Sequence, residues 1–228
     1  MNDLTIIYYT ANRISSFFED NIVRSLKEVV GDTKIISVSW KPMDLGENIL
    51  FEGIAPSVYY IYKQVLIGAE RATTKYVACA EDDTIYTKEH FAFRPPDDTF
   101  AYNESHIEIY KGNFIHRNQR NMSTCIANRD LMVDTLRKRF EKFPDFLDSK
   151  KGETRYFSEP GRHERKRGLP EVKMMGFSTE APPIVFWHRP SMGGIRQIKV
   201  ADRLETDHPY WGNAKELWYK FYRRPDII

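Results

Sequence analysis

The sequence predicts an α/β protein in which a parallel βαβαβ half, residues 1–91, is followed by a mixed and partly antiparallel half, residues 92–228. In the first half, apolar and β-branched runs alternate with runs of helical periodicity, a pattern typical of parallel sheets with crossover helices. In the second half, short strand-like runs follow one another. Because 41% of the 228 residues are hydrophobic, we expect one domain with a sizeable core.

The first predicted strand, LTIIYY at 4–9, is a continuous run of residues that favour strands, as expected for a strand buried on both faces. A helix follows, in which Ser16 and Glu19 match a capping box and Gly31 provides the stop. The run at 33–39 predicts the second strand.

The second crossover begins after a polar stretch, KPMDLGEN, that we predict to be irregular. Pro56 then starts a helical pattern, and YVACA forms the third strand. The helix has one apolar face, formed by Val58, Ile61, Val65, Ala69 and Ala72. Right-handed crossovers make the three strands parallel. Ligands bind such sheets at the carboxyl ends of the strands.

The second half contains four short strand patterns: TFAYN, SHIEIYKG, NFIHRN and STCIAN. The spacing of Met132, Leu136 and Phe140 predicts a helix that ends before Pro144. Residues 144–183 have little periodicity, and we expect one long irregular segment there. PPIVFWH is predicted to be the last strand and AKELWYKFYR a closing helix. Its aromatic residues are expected to pack in the core: Trp218, Tyr219, Phe221 and Tyr222.

The overall charge excludes a strongly basic nucleic-acid-binding domain, because 34 basic residues face 32 acidic ones. Any basic patch must be local. The two cysteines, Cys79 and Cys125, have no metal-site spacing and are expected to be buried thiols in a reducing compartment. The sequence contains no pattern of a signal peptide or membrane span, so we expect a soluble, cytoplasmic protein.

Three consecutive carboxylates, Glu81, Asp82 and Asp83, follow the third strand directly. Adjacent carboxylates at a strand end repel one another unless a positive charge lies between them. A hydrated divalent cation such as Mn²⁺ or Mg²⁺ is the natural partner, since hard cations prefer oxygen ligands and keep positions open for phosphate. The alternative is an acidic turn exposed to solvent.

This acidic triplet resembles the DxD element of glycosyltransferases with the GT-A fold. The resemblance implies a GT-A-like fold in which one carboxylate, here Asp83, binds a metal ion that bridges the diphosphate of a nucleotide sugar. Glu81 or Asp82 would be the supporting acid.

The first strand is followed by Thr10, Asn12 and Arg13, which offer hydroxyl, amide and guanidinium groups at the same edge. They resemble the TxNR signature of many GT-A enzymes, which implies contacts with the nucleobase and diphosphate. Those enzymes often have an acidic residue after the second strand, whereas this chain has SWKPMD. A loop that simply starts a helix is the alternative.

The similarity extends over most of the chain through the segments YVACAEDDTIYTKEHF, STCIANRDLMVDTLRKRF, FSEPGRHERKR and PPIVFWHRPSMGG. Together they resemble small bacterial and phage glycosyltransferase-like proteins. This resemblance implies a UDP-sugar as donor. It also implies that His188 completes the metal site, for which a neutral imidazole is a competent ligand. A structural histidine is the alternative, and Gly193 and Gly194 would let the backbone approach a ligand.

The segment SEPGRHERKR offers acid, base and cationic groups. Glu159 is a candidate base for an acceptor hydroxyl, and His163 could assist it or bind phosphate. Asp130 is a second candidate base, although a retaining reaction would need neither. The cationic residues would neutralise the diphosphate or bind a polyanionic acceptor: Arg162, Arg165, Lys166 and Arg167. The alternative is a charged loop exposed to solvent.

The sequence thus predicts a metal-dependent glycosyltransferase that transfers a sugar from a nucleoside diphosphate to a hydroxyl. The acceptor stays open between a hydroxymethylated base in phage DNA and a cell-surface glycan. A non-catalytic nucleotide-binding or nucleic-acid-binding module is an alternative. A nucleotidyltransferase is another, but no Gly-rich phosphate loop precedes a lysine.

Overall fold

The computed structural model describes 2–51, 57–110, 112–116, 119–144, 157–188 and 203–222. Its main feature is a seven-stranded sheet. In spatial order the strands are β10 (Lys173–Phe177), β6 (Thr99–Asn103), β9 (Cys125–Asn128), β4 (Tyr76–Glu81), β1 (Leu4–Thr10), β2 (Lys34–Ser39) and β3 (Glu47–Leu50). Strands β1 to β4 are parallel, and β9 is antiparallel to its neighbours β4 and β6. The predicted mixed α/β fold with a mostly parallel sheet is confirmed.

The register of the parallel strands brings their carboxyl ends to one edge. Thr10 pairs with Ser39 of β2, and Tyr9 pairs with Glu81 of β4. The two polar segments that follow β1 and β4 therefore lie side by side, as the sequence predicted.

Strand β1 is central because both of its faces are covered. Leu4, Ile6 and Tyr8 pack in the cluster that contains helix α1 (Ser16–Val30). The alternate side chains, Ile7 and Tyr9, pack in a second cluster. Two helices supply that cluster: α2 (Val58–Arg71) and α4 (Arg129–Lys142). A strand with two buried faces favours apolar residues on both, which explains most of the LTIIYY run. The buried hydroxyl of Thr5 is hydrogen-bonded to the Thr74 hydroxyl at 2.7 Å.

A five-stranded sheet lies next to the central one. Its order is β12 (Arg203–Glu205), β8 (Asn113–His116), β7 (Ile107–Tyr110), β11 (Ile184–Phe186) and β5 (Thr84–Ile85). The other described α-helices and strands are α3 (Lys88–Ala92), the small pair β13 (Asp207–His208) and β14 (Gly212–Asn213), and α5 (Ala214–Tyr222). Short 3-10 turns cover Met122–Thr124 and Arg165–Arg167. Since β4 ends at Glu81 and β5 begins at Thr84, the acidic triplet spans the step from one sheet to the other.

Several predicted elements are confirmed, including the closing helix and the four short strands. Both cysteines are buried free thiols. In the closing helix, Trp218 and Phe221 are buried, but Tyr219 is 55% exposed, so its predicted place in the core is wrong. Within the described ranges, none of the helices combines the length and the hydrophobicity needed to cross a bilayer.

Other element predictions are corrected. The stretch predicted to be irregular before the second helix ends in strand β3, which adds an edge to the sheet. The segment 144–183, predicted to lack structure, contains β10, which pairs with β6 in parallel. The strand PPIVFWH is not the last, because β12 to β14 follow it. Pro56 lies outside the described residues, and Ser57 caps helix α2.

The predicted capping box of helix α1 is also wrong. The cap is Ser15, whose hydroxyl accepts a hydrogen bond from the backbone N–H of Phe18. Glu19 instead accepts a hydrogen bond from the side-chain amide of Asn12 at 2.9 Å. The glutamate therefore ties the helix to the segment after β1, which places it next to the candidate site.

Candidate functional site

A cavity of about 510 Å³ lies at the carboxyl ends of the central strands. Its described walls include the segments after β1 and β4, the first turns of α2, the segment 157–163, and the residues after β11. Carboxylates from the acidic triplet, the imidazoles of His163 and His188, and several aromatic rings face one space there. Such convergence of polar groups in a concave site is typical of ligand-binding cavities.

Each acid of the triplet has a different partner. Glu81 accepts a hydrogen bond from the Tyr9 hydroxyl at 2.6 Å. Asp82 accepts one from the Thr10 hydroxyl at 2.5 Å. Asp83 Oδ2 lies 3.3 Å from His188 Nε2, a contact that joins the triplet to the end of β11.

Burial and the charge of neighbouring acids raise the pKa of two members of the triplet, Glu81 and Asp82. Burial, followed by the charge of Asp83, raises the pKa of Asp82 to about 7, although the Thr10 hydroxyl and His188 oppose the shift. Burial and the charge of Asp83 also raise the pKa of Glu81 well above its usual value. Removing carboxylates from water and crowding them favours the neutral form. A cation in the site would reverse this effect, because it stabilises the charged carboxylates.

The His188 ring is 8% exposed. Burial opposes its charged form, but the hydrogen bond and charge of Asp83, with the charge of Asp82, outweigh burial and raise the pKa of His188. Potential ligand atoms of Asp82, Asp83 and His188 all lie within 4.8 Å of one another. Carboxylate oxygens with one imidazole nitrogen suit Mn²⁺. These residues fit a divalent ion, and Asp82, Asp83 and His188 would hold it.

The residues of the segment after β1 differ in whether they line the cavity. Thr10 and Arg13 line the cavity. Asn12 adopts a left-handed backbone conformation, φ 48°. Its side-chain oxygen accepts a hydrogen bond from the Lys41 backbone N–H at 2.8 Å, while its amide donates to Glu19. Asn12 thus fixes the shape of the turn and lines a neighbouring groove, so its predicted ligand contact stays a prediction.

The segment 157–163 forms the wall that contains the candidate base. Glu159 and His163 both line the cavity with the triplet. The Glu159 carboxylate accepts a hydrogen bond from Arg162 Nη1 at 3.0 Å. Its charge also contributes to the raised pKa of Glu81. Burial, followed by the cationic side chains Arg167 and Arg162, lowers the pKa of His163.

Other predicted residues lie away from the cavity. Arg165 and Lys166 are exposed on a short 3-10 turn, and Arg167 is buried and donates to the Ser158 hydroxyl at 2.8 Å. Asp130 lies at the opposite edge of the sheet, because β9 is antiparallel to β4 and Asn128 pairs with Tyr76. The structure therefore separates Asp130 from the triplet. Gly193 and Gly194 lie outside the described residues.

The cavity contains residues that the sequence analysis did not select. Trp40 follows β2 directly and lies edge-on to Tyr60, with ring centroids 6.2 Å apart. Gln64 donates from its side-chain amide to the backbone oxygens of Thr10 and Val38 at 2.9 and 2.7 Å, so it links the ends of β1 and β2. The strand-end rule that selected Thr10 would also have found Trp40. The apolar helix pattern gave no signal for Gln64.

Comparisons with known proteins give structural neighbours, whereas no protein-family model and no curated sequence matches. A glycosyltransferase involved in glycosylation of the major capsid of PBCV-1 is similar with a TM-score of 0.48 and 7% identity, over 80% of this chain and 92% of that chain. S. aureus TarS in complex with UDP-GlcNAc is similar with a TM-score of 0.46 and 10% identity, over 86% and 62%. A nucleotidyl transferase from Methanothermobacter thermautotroptrophicus has a TM-score of 0.40 and 12% identity, over 60% and 76%.

These neighbours include a member of each enzyme class considered from the sequence, a glycosyltransferase and a nucleotidyl transferase. The chain spans less than two thirds of the TarS chain. At TM-scores below 0.5 these likenesses carry no conclusion about this chain, whose chemistry depends on the residues of the site.

Proposed function

We propose that the protein is a metal-dependent glycosyltransferase that transfers a sugar from a nucleoside diphosphate sugar to an acceptor hydroxyl. One observation carries the proposal: Asp82, Asp83 and His188 present potential ligand atoms within 4.8 Å of one another. They do so in the wall of a cavity of about 510 Å³ at the strand ends. A bound Mn²⁺ or Mg²⁺ would neutralise charge that develops on the leaving diphosphate, which is the main demand of this reaction.

The order of the strands suggests how the donor, a UDP-sugar, would lie. Trp40 and Tyr60 border the cavity beyond β2 and would bind the nucleobase through their rings. Thr10 and Arg13 follow β1, between that aromatic end and the triplet after β4. The diphosphate would therefore lie near Arg13 and the acids, and the sugar beyond them toward Glu159.

In the proposed reaction, the acceptor oxygen forms a bond to the anomeric carbon while the bond from that carbon to the diphosphate oxygen breaks. The diphosphate leaves with the bonding electron pair. Glu159 takes the proton of the attacking hydroxyl, a role for a carboxylate within reach of the acceptor. Arg162 and His163 border the same space and would stabilise negative charge there.

The decisive experiment measures binding and turnover with purified protein, Mn²⁺ and a panel of UDP- and GDP-sugars that includes UDP-GlcNAc. Titration calorimetry should detect Mn²⁺-dependent binding of one donor, and slow donor hydrolysis should follow. Asp83→Ala should reduce both by at least about 100-fold, while Asp134→Ala, an exposed acid on α4, should change neither. Failure of every nucleotide sugar to bind with Mn²⁺ would exclude the proposal, and pyrophosphate release from a nucleoside triphosphate would indicate a nucleotidyltransferase.

We further propose DNA with a hydroxymethylated base as the acceptor. Arg162 borders the cavity with a side chain that is 52% exposed, and Arg165 and Lys166 are exposed on the adjacent turn. Cations beside a cavity mouth suit a phosphate backbone. Duplex affinity should therefore fall at least about 10-fold between 50 and 200 mM salt. Salt-insensitive transfer to a neutral glycan would exclude the DNA acceptor and leave glycosyl transfer intact.

A further inference from the structure

We propose that Arg139 and Tyr102 are positioning residues that hold the main chain on both sides of Glu159. This inference rests on the proposed function, because it concerns the base of that reaction. The carbonyl oxygens of Ser158 and Pro160, one before and one after Glu159, each accept a hydrogen bond from one of these two buried side chains. We name these two contacts the Glu159 clamp.

The first contact comes from helix α4. Arg139 is fully buried, and its Nη1 donates to the Ser158 backbone oxygen. Its Nη2 forms an ion pair with Glu164, whose side chain is 3% exposed. The planar guanidinium thus holds two points of the same segment with its two amino groups, a geometry that lysine cannot reproduce.

The second contact comes from strand β6. The Tyr102 hydroxyl is buried and donates to the Pro160 backbone oxygen at 2.8 Å. Tyr102 itself has no exposed surface, so its position is fixed by the packing of the sheet. Glu159 therefore lies between two anchored backbone oxygens, that of Ser158 bound by helix α4 and that of Pro160 bound by strand β6.

Burying the Arg139–Glu164 ion pair costs desolvation free energy, which argues for a role besides stability. A buried ion pair contributes little net stability, since desolvation offsets much of the attraction, whereas it does fix geometry. Arg139 also lies over the ring of Tyr62 at 5.5 Å, and Tyr62 lines the cavity. The clamp therefore sets the distance between the Glu159 carboxylate and the acidic triplet, which face the same cavity. A shift of about 1 Å in a base can cost about 100-fold in rate.

The test uses two matched tyrosines. Tyr102→Phe removes only the bond to Pro160. Tyr59→Phe removes a comparable bond outside the clamp, from the Tyr59 hydroxyl to the Pro144 backbone oxygen at 2.7 Å, and keeps the Tyr59 ring against Phe157. We expect Tyr102→Phe to lower kcat about 10-fold without changing donor Kd, and Tyr59→Phe to leave kcat unchanged. In a Glu159→Gln background, Tyr102→Phe should have no further effect, because the group that it positions is gone. Additive losses in that background would overturn the proposal.

A second measurement needs no substrate. Backbone hydrogen exchange at 158–163 should be about 10-fold faster in Tyr102→Phe and Arg139→Lys than in Tyr59→Phe. Unchanged exchange in both variants would show that the clamp does not hold Glu159. Unchanged exchange would contradict only the Glu159 clamp. The proposed glycosyl transfer would be contradicted by a different result, namely a wild-type protein that binds no nucleotide sugar with Mn²⁺.

Discussion

At the scale of single residues, the three consecutive acids are not equivalent. Glu81 is bonded to Tyr9, Asp82 to Thr10, and Asp83 contacts His188. Their side chains therefore have different environments although they are adjacent in sequence. Asp82 and Asp83 belong to the group that could hold a metal ion, whereas Glu81 has one oxygen engaged by a phenol.

The raised pKa of Asp82, about 7, predicts a pH-dependent metal affinity. Above pH 7 the carboxylate is charged and available to Mn²⁺. Below pH 7 a proton competes, and so does the proton on His188, whose pKa is also raised. The dissociation constant for Mn²⁺ should therefore rise about 10-fold per pH unit for each displaced proton as the pH falls from 7 to 5.5.

Calorimetry or electron paramagnetic resonance of Mn²⁺ at several pH values measures this dependence. Asp82→Asn should bind Mn²⁺ more weakly at every pH and with a shallower slope, since one titrating group is lost. Equal wild-type affinity at pH 5.5 and 7.5 would contradict the assignment of Asp82 as a ligand.

At the scale of elements, helix α2 connects the core to the cavity. One side packs on β1 and β2, while Tyr60 and Tyr62 reach the cavity wall. Close approach of α2 to β1 occurs at Gly68, where an added Cβ would lie 2.5 Å from Cγ2 of Ile7. Position 68 therefore requires glycine, because there is no space for a side chain between α2 and β1.

Gly68→Ala is therefore expected to destabilise the protein. Alanine favours a helix by up to about 1 kcal/mol over glycine, but overpacking a rigid core costs about 1–3 kcal/mol. We expect a net loss of about 1 kcal/mol or more in urea unfolding. A variant more stable than the wild type would mean that α2 and β1 can separate without cost.

At the scale of the whole molecule, a buried histidine of helix α3 links stability to pH. His90 is fully buried among Tyr86, Phe91 and Phe177. Burial, with a smaller effect of His106, lowers its pKa to about 3. Above pH 6.5 the ring is neutral in the folded and the unfolded chain, so this residue adds no pH dependence.

Between pH 6.5 and about 3, His90 is protonated in the unfolded chain but stays neutral in the folded chain. The His90 contribution to the free energy of unfolding should then fall by up to about 1.4 kcal/mol per pH unit. Asp82 and Glu81 act in the opposite sense, since folding raises their pKa. The difference between wild type and His90→Asn isolates the histidine: the stability advantage of the wild type should shrink as the pH falls from 7 to 4. A difference that stays constant would show that His90 binds a proton as readily in the folded chain as in the unfolded chain.

Local sequence patterns predicted the elements whose apolar residues are consistently buried against neighbouring elements. The apolar run of β1 and the helical repeat of α2 are set by burial on neighbouring elements, and both are confirmed. Strand β10 gave no such signal because Met174, Met175 and Gly176 are only partly buried at the sheet edge. An edge strand is fixed by its partner, here β6, and partners are not visible in a local pattern.

Sequence patterns were enough to predict β1, β2 and β4 and the strand-end positions of Thr10 to Arg13 and Glu81 to Asp83. Periodicity identifies the strands, and crossover helices bring their carboxyl ends to one edge. The resemblance to GT-A enzymes had named His188, but which distant side chains lie against these segments depends on tertiary contacts. The tertiary structure brought His188 to Asp83 across 105 positions, gave Glu159 its place through Arg139, and separated Asp130 from the cavity. The physical reason is that the pairing of β9 and β11 with β4 and β5 depends on long-range contacts, and these have no signature within any short segment.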